Sequence, residues 1–210
     1  QSHDVSNLQY YMKIKAKIAR RIGEPLVGQA KKVSVIKRNF PPGRLDSQRK
    51  HKTSSSEYKG QMKEKQKTRF SYGLKEHQFK TYVKTAALTK NPTDALFATL
   101  EYRLDNVVYR SGFANTRQFA RQLVTHGHII VNGKRLNVPS YQVKKGDVVA
   151  IREGSMGKSP FLLVKETIKD HKEPQWLKID RMELKSEITS EPKDTEKSFN
   201  LQTVLELYSR

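Results

Sequence analysis

Apolar side chains recur along this chain first at helical and then at strand spacing. Ser54 followed three residues later by Glu57 fits a capping box, predicting a helix that stops near Gly73. It would carry Tyr58 and Met62 on one side, with Lys63, Lys65, Lys67 and Arg69 around the rest. A second helix, about Leu74 to Ala87, sets Phe79, Tyr82, Val83 and Ala86 at core spacing, so these aromatics read as core rather than as base-stacking platforms. Asn91-Pro92-Thr93 supplies a stop and a cap. Leu96, Phe97, Leu100, Leu104, Val107 and Val108 then recur at i, i+3 and i+4 up to Gly112, predicting one continuous helix. Thr116 caps the next, in which Phe119, Ala120, Leu123 and Val124 face inward, Arg117, Arg121 and Gln122 point elsewhere, and Gly127 ends the turn.

There the rhythm changes. His128 to Val131, the Asn132-Gly133 pair and Lys134-Arg135-Leu136 form a hairpin signal, because a type I′ turn needs positive φ at both centres. Lys144-Lys145-Gly146-Asp147 turns the chain into a strand over Val148 to Ile151. Beyond it, Phe161 to Ile168 reads as helix, Trp176 to Ile179 as a short strand and Ser186 to Ser198 as loop, while Leu201, Val204, Leu205 and Tyr208 make a terminal helical stripe that packs back on the first domain. The fold class is α+β, a helical domain plus two helices with a small antiparallel sheet. Three segments follow: a basic extension and helical domain over 1–92, the helix-and-sheet module over 93–160, and a supporting segment over 161–210.

Charge sharpens this division. The 210 residues carry 41 Lys+Arg against 21 Asp+Glu, a formal net charge of +20, with only 35% hydrophobic residues. Residues 1–90 hold 22 of the cations and 6 of the acids, residues 91–160 hold 10 and 5, and residues 161–210 hold 9 and 10. Such a charge destabilises a compact isolated chain by self-repulsion, whereas a polyanion converts it into binding energy by counterion release. Nucleic acid or an anionic membrane is the indicated partner. A membrane binder needs an amphipathic helix with a basic face and a large apolar stripe, which the thinly apolar basic helix ahead of Gly73 lacks. No apolar run approaches the length of a membrane span and no secretory h-region opens the chain, which begins at Gln1 rather than Met, so a few residues are expected to be missing.

The absence of Cys excludes disulfides and cysteine-based metal sites and suits a reducing interior. His126 and His128, two residues apart, lack further ligands nearby, so neither a metal nor any other cofactor is expected. Arg117 and Arg121, one turn apart beside a helix N-terminus, suit phosphates, since that terminus already offers free N–H groups and partial positive charge. Both are expected to serve binding rather than folding. Arg103 reads as a helix-face residue paired locally, and Asp105 as one that orients Arg110 or the next turn.

The run Arg103-Leu104-Asp105-Asn106-Val107-Val108-Tyr109-Arg110, then Gly112-Phe113-Ala114, Thr116-Arg117, Ala120-Arg121-Gln122-Leu123-Val124, His126-Gly127-His128, Val131-Asn132-Gly133, Val138-Pro139-Ser140-Tyr141 and Gly146-Asp147 resembles the RNA-binding module of the small ribosomal subunit protein family S-four. The likeness extends upstream through Pro41-Pro42-Gly43, Ser56-Glu57-Tyr58, Lys63 to Lys67 and Tyr72-Gly73, and closes with Trp176-Leu177 and Leu205 to Ser209, spanning about residues 36–210. It implies a structural component of the small ribosomal subunit, whose helical domain and module together clasp a multi-helix junction of small-subunit ribosomal RNA. Such a protein binds early in assembly and lies near the mRNA entry path, beside neighbouring ribosomal proteins, in the cytoplasm or an organelle. The RNA-binding set implied is Arg44, Lys63, Lys65, Lys67, Arg69, Arg110, Thr116, Arg117, Arg121, Gln122, His126, His128, Lys134, Arg135, Tyr141 and Lys144, of which Tyr141 packs as readily as it stacks. Many relatives carry a cysteine-ligated zinc knuckle near the N-terminus; here the corresponding region, about Lys17 to Arg38, has none.

Two rivals use the same features. A pseudouridine synthase also surrounds its catalytic aspartate with Arg-Leu-Asp, but Asp105 is followed by Asn106-Val107-Val108-Tyr109 inside an apolar-periodic helix, and no phosphate loop, nucleophile elbow or acid–base pair is evident. A DNA-reading helix-turn-helix would place two helices before Gly127 but would need a dimer-forming segment. The hairpin and the long basic N-terminal region favour shaped RNA.

Overall fold

A computed structural model of the chain describes residues 18–23, 56–157, 161, 164, 168, 171–193 and 199–209. Its elements in chain order are α1 Glu57–Ser71, α2 Glu76–Ala87, α3 Pro92–Glu101, α4 Leu104–Arg110, α5 Arg117–Thr125, β1 Ile129–Val131, β2 Lys134–Arg135, β3 Val148–Ile151, α6 Glu153–Met156, β4 Leu177–Asp180, β5 Lys185–Ile188 and α7 Leu201–Ser209. The five strands form one antiparallel sheet in the order β2-β1-β3-β5-β4.

Two apolar clusters share no residue. The first joins Tyr72, Leu74, Phe79, Val83, Ala86, Leu96, Phe97 and Leu100 to Phe199, Leu201 and Val204, so α7 does return to the helical body. The second gathers Leu104, Val107 and Val108 of α4, Ala120, Leu123 and Val124 of α5 and the inward face of the sheet, with Phe161, Val164, Ile168 and Trp176. Packing therefore draws the boundaries differently from the segments expected at 92/93 and 160/161: α3 belongs to the helical body, and 161–188 contributes to the sheet core.

The predicted continuous helix over 92–112 is two helices, because the chain breaks at Tyr102-Arg103. Arg103 is extended, at φ −63° and ψ 133°. The strap 139–143 takes up the backbone groups freed there: Leu104 N–H donates to Tyr141 O (2.9 Å), Asp105 N–H to Pro139 O (3.1 Å), and Val143 N–H to Tyr102 O (3.0 Å). One apolar stripe is thereby shared between two cores, Leu96, Phe97 and Leu100 on one side and Leu104, Val107 and Val108 on the other. Leu104 is fully buried, so Leu104→Ala should destabilise the chain by about 2–5 kcal/mol through its cavity, read as a lower urea midpoint with an unchanged slope.

Three further expectations are corrected. Helix α1 is capped by Ser56, whose side chain accepts from Lys59 N–H (3.4 Å), whereas Ser54 lies outside the described residues. Its buried positions are the polar Gln61, Thr68 and Ser71, while Tyr58 is exposed. Small polar side chains let α7 approach closely, and the Thr68 hydroxyl is satisfied by Glu64 O (3.0 Å). Residues 186–188, expected as loop, form β5 together with Lys185, and its inward positions are Ser186 and Ile188. Of the helix expected over 161–168, only Phe161, Val164 and Ile168 are described, all buried.

The hairpin forms as expected, with Asn132 at φ 50° and Gly133 at φ 78°. The Asn132 side chain also ties the turn to the next strand, donating to Asp147 Oδ1 (2.8 Å) and accepting from Val148 N–H (2.9 Å).

Candidate nucleic-acid interface

Helix α5 runs from the boundary between the two bodies to the hairpin, and its exposed side carries the best-placed donors. Thr116 is its N-cap, with Oγ1 accepting from Phe119 N–H (3.2 Å). Arg121 is partly exposed beside the helical body: its Nη1 lies 3.4 Å from Gly73 O and 3.8 Å from Asp105 Oδ2. Gln122 and His126 are exposed on the same helix and its cap. At the far end Arg135 reaches back from β2 to His126 O (3.4 Å), its guanidinium occupying the place where a side chain at Gly127 would begin. Gly127 sits at φ 68°, so conformation favours glycine there, whereas the guanidinium is the far end of a flexible, exposed side chain that can move aside. Lys134, Tyr141 and Lys144 are also exposed.

Arg117 does not lie on this free face. It is 5% exposed, with Nε donating to Asn106 Oδ1 (2.7 Å) and the guanidinium held between the rings of Tyr72 (4.5 Å) and Tyr109 (4.6 Å). Helical spacing pairs it with Arg121, but here the first residue of the helix enters the domain boundary and faces the neighbouring body, not solvent.

Arg110 is likewise engaged internally, chelating Glu101 through Nε (2.8 Å) and Nη2 (3.0 Å). Glu101 is fully buried and also accepts from Tyr72 Oη (2.6 Å) and Asn106 Nδ2 (2.9 Å). Burial alone would raise its pKa, but Arg110, Arg117 and the Tyr72 hydroxyl outweigh that and hold the carboxyl below its ordinary value. Burial and the Glu101 charge together push the Tyr72 hydroxyl well above its usual range. A second buried carboxylate, Asp105, is chelated by Arg103 (3.0 and 2.7 Å), whose Nη1 donates to Tyr82 Oη (2.7 Å) on α2. The local pairing expected of Arg103 is present, and Asp105 faces Arg103 and Arg121 rather than Arg110.

The basic helix α1 divides similarly. Lys65 and Arg69 point toward Glu76 (2.8 and 3.4 Å), so both tie α1 to α2, and Lys65 also lies over the Tyr208 ring of α7 (5.6 Å). Lys63 is exposed and Lys67 half-buried. His128 is half-buried, its Nδ1 3.0 Å from Ser155 Oγ and its ring against Phe161. Arg44 lies outside the described residues. Further exposed cations lie outside the set expected from the sequence: Lys59 one turn before Lys63, Lys80 and Lys84 on the outer face of α2, and Lys145 beside Lys144. Their signal was the complement of the apolar stripe, since Lys80 and Lys84 alternate with Phe79, Val83 and Ala86.

Among the described residues no three His, Asp or Glu side chains converge as a metal site, and no helix is long and apolar enough to cross a membrane. Asp105, which the synthase reading would need as its nucleophile, is almost fully buried and held by Arg103.

The depressed carboxyl pKa values set an acid limit. A carboxyl whose folded pKa lies below its unfolded value contributes stability that is complete above the unfolded pKa and is lost as pH falls through the folded one. For Glu101 and the partly exposed Glu76, also lowered despite some burial by Lys65 and Tyr208, that window opens downward from 4.5. The urea midpoint should therefore hold from neutrality to about pH 5 and decline below it. A midpoint independent of pH down to about 3 would show these carboxyls unpaired.

Compared with known families, residues 10–101 match the ribosomal protein S4/S9 N-terminal domain and residues 103–149 match the S4 domain. The chain is 42% identical over 195 residues to the small ribosomal subunit protein uS4 of Saccharopolyspora erythraea, covering 91% of this chain and 94% of that protein. It is 42% identical over 197 residues to that of Chlorobium limicola (92% and 96%) and 41% over 199 to that of a Roseiflexus strain (92% and 96%).

Proposed function

Because the chain belongs to the uS4 family of small-subunit ribosomal proteins, we propose that it grips a folded multi-helix junction of small-subunit ribosomal RNA with both of its bodies at once. It is a structural, non-enzymatic component of the ribosome. The observation that carries the gripping mode is the line of donors on α5, which starts at the boundary with Arg121 against Gly73 and ends at the hairpin with Arg135 against His126. Phosphates bridging two RNA helices meet such a line with charge-assisted, often bidentate, guanidinium contacts. Lys59, Lys63, Lys80 and Lys84 extend the positive surface over the helical body, and Tyr141 offers a ring to an unstacked base. Early binding during assembly, a place by the mRNA entry path and contacts with neighbouring ribosomal proteins belong to the same reading, in the cytoplasm.

Titration against folded small-subunit RNA, competed with duplex DNA of equal length, tests it. RNA should win by at least about 10³, the lower end of specific over non-specific binding; equal competition would overturn the reading. Replacing Arg121 and Arg135 together by Ala should weaken RNA binding by about 2–4 kcal/mol while moving stability by less than about 1 kcal/mol, because both side chains are at the surface.

A further inference from the structure

We propose that Glu101 is a positioning residue for RNA binding: as the buried anion at the boundary, it fixes the angle between the helical body and the sheet module so that cations on both reach one RNA together. This rests on the RNA reading above and adds to it a cause for the geometry. The two apolar clusters share no residue, so interdigitated side chains of a common core do not set their relative orientation. Directional polar ties cross the boundary instead, and three of them meet at Glu101. This last residue of α3, held from its own body by Tyr72 Oη, accepts across the boundary from Asn106 and Arg110 of α4, with Arg117 Nη2 of α5 at 3.8 Å. The Asn106 amide also donates to Glu101 O (3.1 Å), gripping the backbone at the helix break itself. Tyr82 Oη to Arg103, and Gly73 O to Arg121, run in parallel a short way along.

Hydrogen bonds to a buried charge are strong and directional, and a carboxylate that chelates one guanidinium and faces another fixes both in plane. Glu101→Gln keeps the shape and can still accept from Tyr72, but withdraws the negative charge that Arg110 and Arg117 share. With the buried Arg117 and the half-buried Arg110 left without that charge, the module should swing to let water reach them. Each body then keeps its own cations but can no longer offer both sets at the spacing of one folded RNA.

The full chain supplies the experiment. It has no cysteine, and among the described residues the two most exposed large apolar side chains sit one on each body, Leu88 at 89% and Met182 at 90% exposure. Spin labels at Leu88→Cys and Met182→Cys give an interbody distance by double electron–electron resonance, read beside the slope of log affinity against log salt for folded small-subunit RNA. The unaltered boundary should give one narrow distance and a steep slope. Glu101→Gln should broaden the distance and reduce the slope by about two or more, each lost phosphate contact removing about 0.9, with affinity down at least about tenfold. Tyr72→Phe with Tyr82→Phe is the companion variant, removing the Tyr82 hydroxyl that crosses the boundary and the Tyr72 hydroxyl that holds Glu101 from its own side while leaving both cores filled; it should move both readouts in the same direction by less. A reduced affinity with unchanged slope means that folded protein is merely scarcer and overturns the proposal, as does a narrow distance in both variants or a broadened one without loss of slope. If the unaltered chain fails to bind the RNA, the RNA reading falls by itself, while the distance still reports whether Glu101 sets the angle.

Discussion

Raising monovalent salt from 50 to 200 mM is expected to weaken the complex with small-subunit RNA by roughly 10³ to 10⁵, the cost of losing counterion release from about six to ten neutralised phosphates. The formal charge of +20 sets the sign. The structure narrows the source. Lys65, Arg69, Arg103, Arg110 and Arg117 are committed to carboxylates or buried among rings, so the slope is expected from cations at the surface such as Lys59, Lys80, Lys84, Arg121, Lys134, Arg135, Lys144 and Lys145, with the basic residues before position 56. Removing one of the exposed lysines should lower the slope by about 0.9 and leave stability untouched. A flat salt dependence would show that the charge serves something other than phosphate.

Arg117→Ala is expected to destabilise the chain by about 3–5 kcal/mol, the scale of breaking a buried polar network. The substitution empties the space between the Tyr72 and Tyr109 rings and leaves Asn106 Oδ1 and one side of Glu101 without a donor. Arg121→Ala, one turn along on the same helix, should cost less than about 1 kcal/mol and act on RNA affinity instead. Urea denaturation of both variants beside RNA titration separates the two arginines. Equal stability losses would mean that the boundary cluster contributes nothing beyond its surface.

This pair marks where the sequence was legible and where it was not. The α+β class, the hairpin at Asn132-Gly133, the terminal helix and the RNA-binding character could be read because each depends on local spacing or on summed charge. Arg117 could not, since whether a polar side chain at a helix start faces solvent depends on which body lies across from it. The break at Tyr102-Arg103 left no local sign, because the strap 139–143 that completes its hydrogen bonds lies some forty residues downstream and the apolar stripe continues through it in register. Strand β5 escaped for a chemical reason: one of its two inward positions is Ser186, whose hydroxyl pairs with Ser111 Oγ (2.8 Å). A hydrogen bond there replaces the apolar residue that alternation looks for.

The return of α7 to the helical body orders events during synthesis. Phe199, Leu201 and Val204 complete the core begun by Tyr72, Leu74 and Phe79, so the first body to leave the translating ribosome is the last to close. By contrast, every described residue of the sheet core precedes position 189 and can assemble earlier. A chain terminated a dozen residues early would thus carry a finished module on an open helical body, its Phe79 and Leu96 uncovered to quality control.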